Sequence, residues 1–155
     1  MAIVTVLGSV WNLSNAEWGN DTLTFSRGEQ IVRVFTIDEI KDMPAINVEK
    51  AIISASHANQ YGIFTGVALE TILDEADENL LKECKKFITK ADDGFASVVS
   101  TDEILVGANV LVVYEKDGLG LGDYSSGGDG PLRILIVSDD YGNRSTKYLN
   151  EINAN

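Results

Sequence analysis

The sequence predicts a single α+β domain, and its pattern of short elements supports that prediction. Short β-branched stretches alternate irregularly with short segments of helical spacing, without the regular repeat of a doubly wound parallel sheet. The 155 residues are 45% hydrophobic and 23% charged, which is typical of one globular domain. With no internal repeat and no linker in the sequence, we expect residues 1–155 to form one domain with a mixed, mainly antiparallel sheet and short peripheral helices.

Strand and loop signals fill the N-terminal part of the chain. Ile3–Val10 is apolar and β-branched and predicts a strand, whereas the polar stretch Trp11–Asp21 predicts a loop. Leu23–Phe25 and Gln30–Phe35 predict two strands joined by a turn at Arg27–Glu29.

Helices are indicated by capping residues and by apolar spacing. Thr36–Glu39 has the pattern of a capping box, and the helix it begins should end near Pro44. Gly66–Ala76 predicts an amphipathic helix, and the lysine-rich stretch up to Cys84 predicts a second helix or a helical loop. Thr101–Glu103 should cap a single helical turn.

Further strands follow in the rest of the chain. Val110–Val113 and Ile134–Val137 predict central strands, because unbroken apolar runs are typical of strands buried on both faces. The glycine-rich segment Asp117–Gly130 between them predicts a loop. The remaining predicted strands are Val48–Ser54, Phe87–Thr89 and Phe95–Val99.

Charge and cysteine content exclude several classes of function. Twelve basic and 24 acidic residues give a net charge of −12, which disfavours nucleic acid and anionic membranes as partners and favours solubility. A single cysteine, Cys84, excludes an intramolecular disulfide and a multi-cysteine metal site. The chain has no long apolar run and no basic flank at its N-terminus, so we expect a soluble, cytoplasmic protein; a longer parent with a removed targeting signal stays open.

Three groups of motifs, in order along the chain, resemble the molybdopterin-binding domain of the sulfite oxidase family. The resemblance extends over roughly Val4–Ile152 and implies the fold of that domain, molybdopterin as cofactor and oxidoreductase ancestry. The motifs are Phe35–Pro44, with its helix before a proline; Phe64–Leu69, close to the aromatic-Thr-Gly-Val segment; and Asp93–Phe95, Gly130–Arg133 and Tyr141–Leu149.

The resemblance also implies where the anionic part of a ligand would bind. A phosphate is held best by arginine, lysine and backbone N–H groups at a tight turn, and residues 142–147 offer all three. The alternative is that Arg144 and Lys147 are solvated charges that pair with Asp139 and Asp140. The candidate site residues are Ser54, His57, Thr65, Arg133, Gly142, Arg144, Ser145 and Lys147.

The sequence departs from the family at the metal ligand. Catalytic members have a cysteine shortly before the aromatic-Thr-Gly-Val segment, but Ile52–Gln60 has serines and the chain's one histidine instead. Cys84 lies beyond the following helix. Because a hydroxyl is a poor substitute for a thiolate on molybdenum, we expect no catalytic residue, no metal ligand and no oxidation of sulfite. His57 is either an ordinary loop histidine or a general base, ligand or hydrogen-bond partner for a pterin.

Three hypotheses therefore remain. The first is a molybdopterin-binding domain that retains an anion or pterin-phosphate pocket. The second is a non-catalytic protein-interaction module that has lost the cofactor and has a small or collapsed pocket. The third is an unrelated small-molecule-binding domain in which Ser54, Ser56 and His57 line a polar cleft.

Overall fold

The computed structural model describes residues 21–155 and the backbone of residues 3–6 and 9–12. In these residues twelve strands and four short helices form two five-stranded sheets and a separate hairpin. The predicted α+β class is confirmed, although the strands divide between two sheets.

The first sheet is mixed. Its strand order is β4-β3-β12-β7-β8, in which β12 runs parallel to β3 and all other neighbours are antiparallel. The predicted hairpins around residues 27–29 and 92–94 are both present. The strands are β3 (Thr22–Arg27), β4 (Gln30–Thr36), β7 (Lys86–Ala91), β8 (Ala96–Ser100) and β12 (Leu149–Ala154).

The second sheet is antiparallel throughout. Its order is β10-β9-β6-β5, and β11 also pairs with β9. The strands are β5 (Ile46–Ile52), β6 (Gln60–Ala68), β9 (Val110–Lys116), β10 (Leu119–Gly120) and β11 (Arg133–Ile136).

Strand β9 is buried on both faces, as its apolar run predicts. Val110 and Val112 belong to the larger hydrophobic core, which also includes residues of the first sheet and the helices. Leu111 and Val113 belong to a smaller core on the other face of the second sheet, together with Phe64. The side chains of successive residues in a strand point to opposite faces, so an unbroken apolar run suits this position.

The prediction of a central strand at Ile134–Val137 is wrong. Strand β11 has one strand neighbour, β9, and its other edge is covered by irregular chain. There the Ile134 N–H donates to the Thr146 carbonyl at 2.9 Å. Just before β11, the Leu132 carbonyl accepts from the N–H of Leu149, the first residue of β12, at 2.9 Å. The apolar run therefore reflects burial under residues 142–148, the closing segment of the chain, and not a second neighbouring strand.

The helices are short and begin at side-chain caps where the sequence has the capping-box spacing. The Thr36 hydroxyl accepts from the Glu39 N–H at 3.1 Å, which confirms the first predicted cap. The cap of the last helix is Ser100, one residue before the predicted segment, because its hydroxyl accepts from the Glu103 N–H at 3.2 Å. The helices are α1 (Ile37–Lys41), α2 (Leu69–Ala76), α3 (Asn79–Glu83) and α4 (Thr101–Leu105).

The helix predicted over Gly66–Ala76 begins later than expected, because β6 continues to Ala68. Gly66 lies where β6 shifts its register against β9. A β-carbon on Gly66 would lie 2.2 Å from the Val112 carbonyl oxygen, so only glycine permits this approach of the two backbones.

The N-terminal prediction needs a similar correction. Ile3–Val10 is not one strand: β1 (Ile3–Val6) and β2 (Ser9–Asn12) pair antiparallel, with Thr5 opposite Val10. The predicted loop Trp11–Asp21 loses its first two residues to β2, and residues 13–20 lie outside the described residues.

Candidate functional site

A cavity of about 470 Å³ lies between the end of β5, the loop 54–60, the turn between β7 and β8, and the closing segment 142–148. This volume lies in the range of about 300–1,000 Å³ that is usual for small-molecule sites. Six of the eight candidate residues line it: Ser54, His57, Arg133, Gly142, Ser145 and Lys147.

The loop 54–60 owes its shape to its own polar side chains. The Ser54 hydroxyl accepts from the N–H of Ser56 at 3.4 Å and of His57 at 3.0 Å, while the Ser54 N–H donates to the Asn59 side-chain oxygen at 3.0 Å. The Ser56 hydroxyl lies 2.9 Å from His57 Nδ1. Ser54 is thus a turn-forming residue at the cavity wall, and Ser56 and His57 are exposed at its rim.

The closing segment is attached to this loop through the backbone. The Gly142 N–H donates to the Ile53 carbonyl at 3.0 Å, and the Ile53 N–H donates to the Asp140 carbonyl at 3.1 Å. A β-carbon on Gly142 would lie 2.7 Å from Ile52 Cγ2, so glycine allows the two segments to lie this close. Sequence reasoning placed both segments at one site, and they are neighbours here.

Arg133 is the buried cation of the cavity. It is 2% exposed, and its Nη1 donates to Gln60 Oε1 at 2.8 Å and to Asp129 Oδ2 at 2.9 Å. Its Nε and Nη2 donate to the Ser145 hydroxyl at 3.2 and 2.6 Å, and that hydroxyl donates to the Ile134 carbonyl at 2.6 Å. Burial lowers the pKa of Arg133, and the Asp129 charge opposes that shift.

Asp129 is the shared anion of this cluster, and sequence reasoning missed it. Its Oδ1 lies 2.9 Å from Lys147 Nζ, and its Oδ2 accepts from Gln60 Nε2 at 2.8 Å as well as from Arg133. Burial favours the protonated acid, but the hydrogen bonds from Gln60 and Lys147 and the Arg133 charge hold the pKa of Asp129 below its ordinary value. Two cations that line the cavity therefore share one carboxylate, Asp129, which lies beside the lining residues.

Arg144 lies outside the cavity. Its Nε and Nη2 donate to the Asp139 carboxylate at 2.9 and 2.8 Å, and its Nη1 and Nη2 donate to Glu103 at 3.0 and 2.7 Å. The arginine hydrogen bond is the main reason that the pKa of Glu103 falls from 4.5 to about 2. The expected pairing with Asp139 thus holds for Arg144, whereas Lys147 pairs with Asp129.

Thr65 is also outside the cavity. It lies on β6, and its hydroxyl donates to the Asn47 side-chain oxygen at 2.6 Å across the β5–β6 pair. The cavity lining also includes Gln60, Asp93, Phe95 and Tyr148, which were not candidate site residues. Asp93, Phe95 and Tyr148 lie within the family motifs, and Gln60 ends the segment Ile52–Gln60.

The thiol of Cys84 is remote from this site. Cys84 is 4% exposed, belongs to the larger core and does not line the cavity. Within residues 21–155 and the two described N-terminal strands, no group of three or more His, Cys, Asp or Glu side chains could hold a metal ion. No helix in the described part of the chain is long and apolar enough to cross a membrane.

Comparison with known proteins shows a likeness in fold but not in sequence. No family model and no curated protein matches the chain. Among 19 matching chains of solved structures is one of the sulfane dehydrogenase SoxCD from Paracoccus pantotrophus, with a TM-score of 0.69 and 14% identity. The match covers 90% of this chain and 39% of that one, so this chain spans about two fifths of its neighbour's length. The likeness therefore shows a fold shared with an oxidoreductase chain, and the fold alone.

Proposed function

We propose that this chain is a non-catalytic binding domain of oxidoreductase ancestry, whose cavity takes a small anionic ligand without molybdenum. The observation that supports it most is that two basic side chains, Arg133 and Lys147, line one cavity, where Asp93 is the acidic side chain of the lining. In a chain of net charge −12, such a concentration of basic side chains attracts an anion.

The residues at the cavity do not fit the metal of a molybdenum cofactor. The loop from Ile52 to Gln60, where the family resemblance places the ligating thiol, presents Ser54, Ser56 and His57. A neutral hydroxyl or an exposed imidazole is a poor substitute for a soft thiolate. We therefore assign no chemical step to molybdenum, and we expect purified protein from a molybdate-replete host to contain no stoichiometric molybdenum and to oxidise no sulfite.

The residues do suit the anionic part of a small ligand. Arg133 is fixed by Ser145, Gln60 and Asp129, and the Gln60 amide has a second N–H besides the one that it donates to Asp129. The 39% exposed Lys147 side chain can reach a bound group. Phe95 and Tyr148 give the cavity aromatic wall, against which the planar part of a ligand can stack. A phosphorylated pterin has both features, and so do other phosphorylated or carboxylated small molecules.

Calorimetric titration with inorganic phosphate tests the proposal, at constant ionic strength maintained with chloride. Lys147→Met should weaken phosphate binding about tenfold, because a charge-assisted contact contributes about 1.5–3 kcal/mol. Lys82→Met removes an exposed lysine of α3 and should leave binding unchanged. Equal binding by the two variants would contradict an anion site at Lys147.

The second candidate function is a protein-interaction module. Leu105 and Val106, which follow each other at the end of α4, are 50% and 61% exposed. Exposed neighbouring apolar side chains are typical of contact surfaces. Absence of phosphate binding in the titration above would favour this function over the ligand-binding one.

A further inference from the structure

The Asp129 carboxylate engages the donors that an anionic ligand of this cavity would use, although Asp129 does not itself line the cavity. Both of its oxygens are engaged: Oδ1 by Lys147 Nζ at 2.9 Å, and Oδ2 by Arg133 Nη1 at 2.9 Å and Gln60 Nε2 at 2.8 Å. A guanidinium, an ammonium and an amide N–H are the donors that an incoming oxyanion would use. The Asp129 carboxylate thus already accepts from the groups that would bind a ligand anion.

We propose that Asp129 is a built-in competitor that sets the affinity and charge preference of the cavity for anions. The proposal rests on the function proposed above. The two cations and the Asp129 carboxylate leave this cluster one net positive charge, which suits a ligand of low charge. Without the Asp129 charge the same two cations would present two positive charges, and a phosphate dianion would bind to them more tightly.

The burial of the three charged side chains indicates which contact the ligand displaces. Arg133 is 2% exposed, Asp129 is 19% exposed and Lys147 is 39% exposed. Arg133 also donates to Ser145 and Gln60, so its position is fixed from two sides. Lys147 has one ion-pair partner among the described residues, Asp129. An arriving anion therefore draws Lys147 away from Asp129, while Arg133 keeps its place.

The test is the isosteric change Asp129→Asn, with inorganic phosphate as the probe in calorimetric titration at constant ionic strength. We expect Asp129→Asn to bind phosphate about tenfold more tightly than the unchanged chain, because a competing charge-assisted contact is removed. The double variant Asp129→Asn/Lys147→Met should lose most of that gain. Asp74→Asn, an exposed carboxylate of α2, changes the net charge equally and should leave binding unchanged.

Thermal unfolding gives an independent measure, since Asp129→Asn leaves the buried Arg133 without its carboxylate. Phosphate should raise the unfolding midpoint of Asp129→Asn more than that of the unchanged chain, while chloride of equal ionic strength should not. If Asp129→Asn folds only with phosphate present, the bound ion compensates the charge of the buried Arg133, and the proposal stands. An equal rise of the midpoint in both proteins would overturn it.

The outcomes separate this proposal from the proposed function. Phosphate binding that depends on Lys147 but is unchanged or weaker in Asp129→Asn would overturn the competitor role and leave the anion site in place. Binding by Asp129→Asn but not by the unchanged chain would support the competitor role and contradict an anion ligand for the native cavity.

Discussion

Two arginines near the closing segment occupy opposite electrostatic surroundings. Arg144 faces two carboxylates, Glu103 and Asp139, so one cation meets two anions. At Arg133 the ratio is reversed, because Arg133 and Lys147 share Asp129. The first cluster has a net negative charge and joins α4 to the closing segment, whereas the second has a net positive charge and lies at a cavity. The number of partners, more than the presence of an arginine, decides which cluster can receive an anion.

Burial differs between the two clusters as well. The Arg144, Glu103 and Asp139 side chains are 32%, 29% and 25% exposed, and water screens part of their attraction. Arg133 is 2% exposed, so its partners replace hydration that it has lost almost completely. The two clusters should therefore respond differently to the loss of one member.

The largest expected effect is that of Arg133→Met on stability. The change leaves the Asp129 carboxylate, which is 19% exposed, without the buried one of its two counter-ions, and the free energy of unfolding should fall by about 3–5 kcal/mol. Lys147→Met removes the more exposed partner of the same carboxylate and should lower the free energy of unfolding by about 1 kcal/mol or less. Urea denaturation measures both. Equal losses would mean that burial does not distinguish the two pairs.

The next expected effect concerns acid stability and the Arg144 cluster. The pKa of Glu103 falls from 4.5 to about 2 on folding, so its contribution is present above pH 4.5 and is lost as the pH falls toward 2. Glu103→Gln should lower the free energy of unfolding by about 2 kcal/mol at neutral pH. The free energy of unfolding should also depend less on pH between about 4.5 and 2, since the glutamine cannot titrate.

Glu39→Gln is the matched control for this prediction. Glu39 occupies the same position in the capping box of α1, but the nearest Arg33 nitrogen is 3.6 Å from its carboxylate. Its stability loss should be smaller, because the contact with arginine is longer. If the two glutamine variants lose the same stability and the same acid dependence, the capping box and not Arg144 accounts for the role of Glu103.

The parts of the fold that were predictable from sequence depend on local interactions. The Thr36 capping box and the hairpin turn at residues 92–94 follow from residues a few positions apart, and both are confirmed. The extent of β6 depends on the contact of Gly66 with Val112, which lies far away in the chain. Local spacing could not reveal it, so the apolar periodicity after Gly66 extended the predicted helix too far.

The candidate site shows the same division. The closing segment was predicted from its own residues, and the structure brings Ser145 and Lys147 to the cavity. Arg144 was expected at the same site, but it is held elsewhere by carboxylates such as Glu103, 41 residues away in the chain. Sequence spacing does not reveal that contact. Asp129 stands four residues before Arg133, in a glycine-rich segment interpreted only as a loop. The short separation of Asp129 and Arg133 in the sequence was the one feature from which their ion pair could have been predicted.

The smallest expected effect is that of Arg144→Met on anion binding, and it tests the comparison most directly. Arg144 belongs to the same segment as Lys147, and the family resemblance marks both as ligand-binding residues. In the structure the Arg144 guanidinium donates to Asp139, Glu103 and the Val98 carbonyl, and it does not line the cavity.

Phosphate affinity should therefore change less than about twofold in Arg144→Met, against about tenfold in Lys147→Met. Titration at a temperature where circular dichroism shows both variants fully folded separates this effect from the loss of stability. A tenfold loss in Arg144→Met would mean that the positive charge of Arg144 acts on the cavity despite its two carboxylates. Counting ion-pair partners would then be the wrong way to distinguish the two clusters.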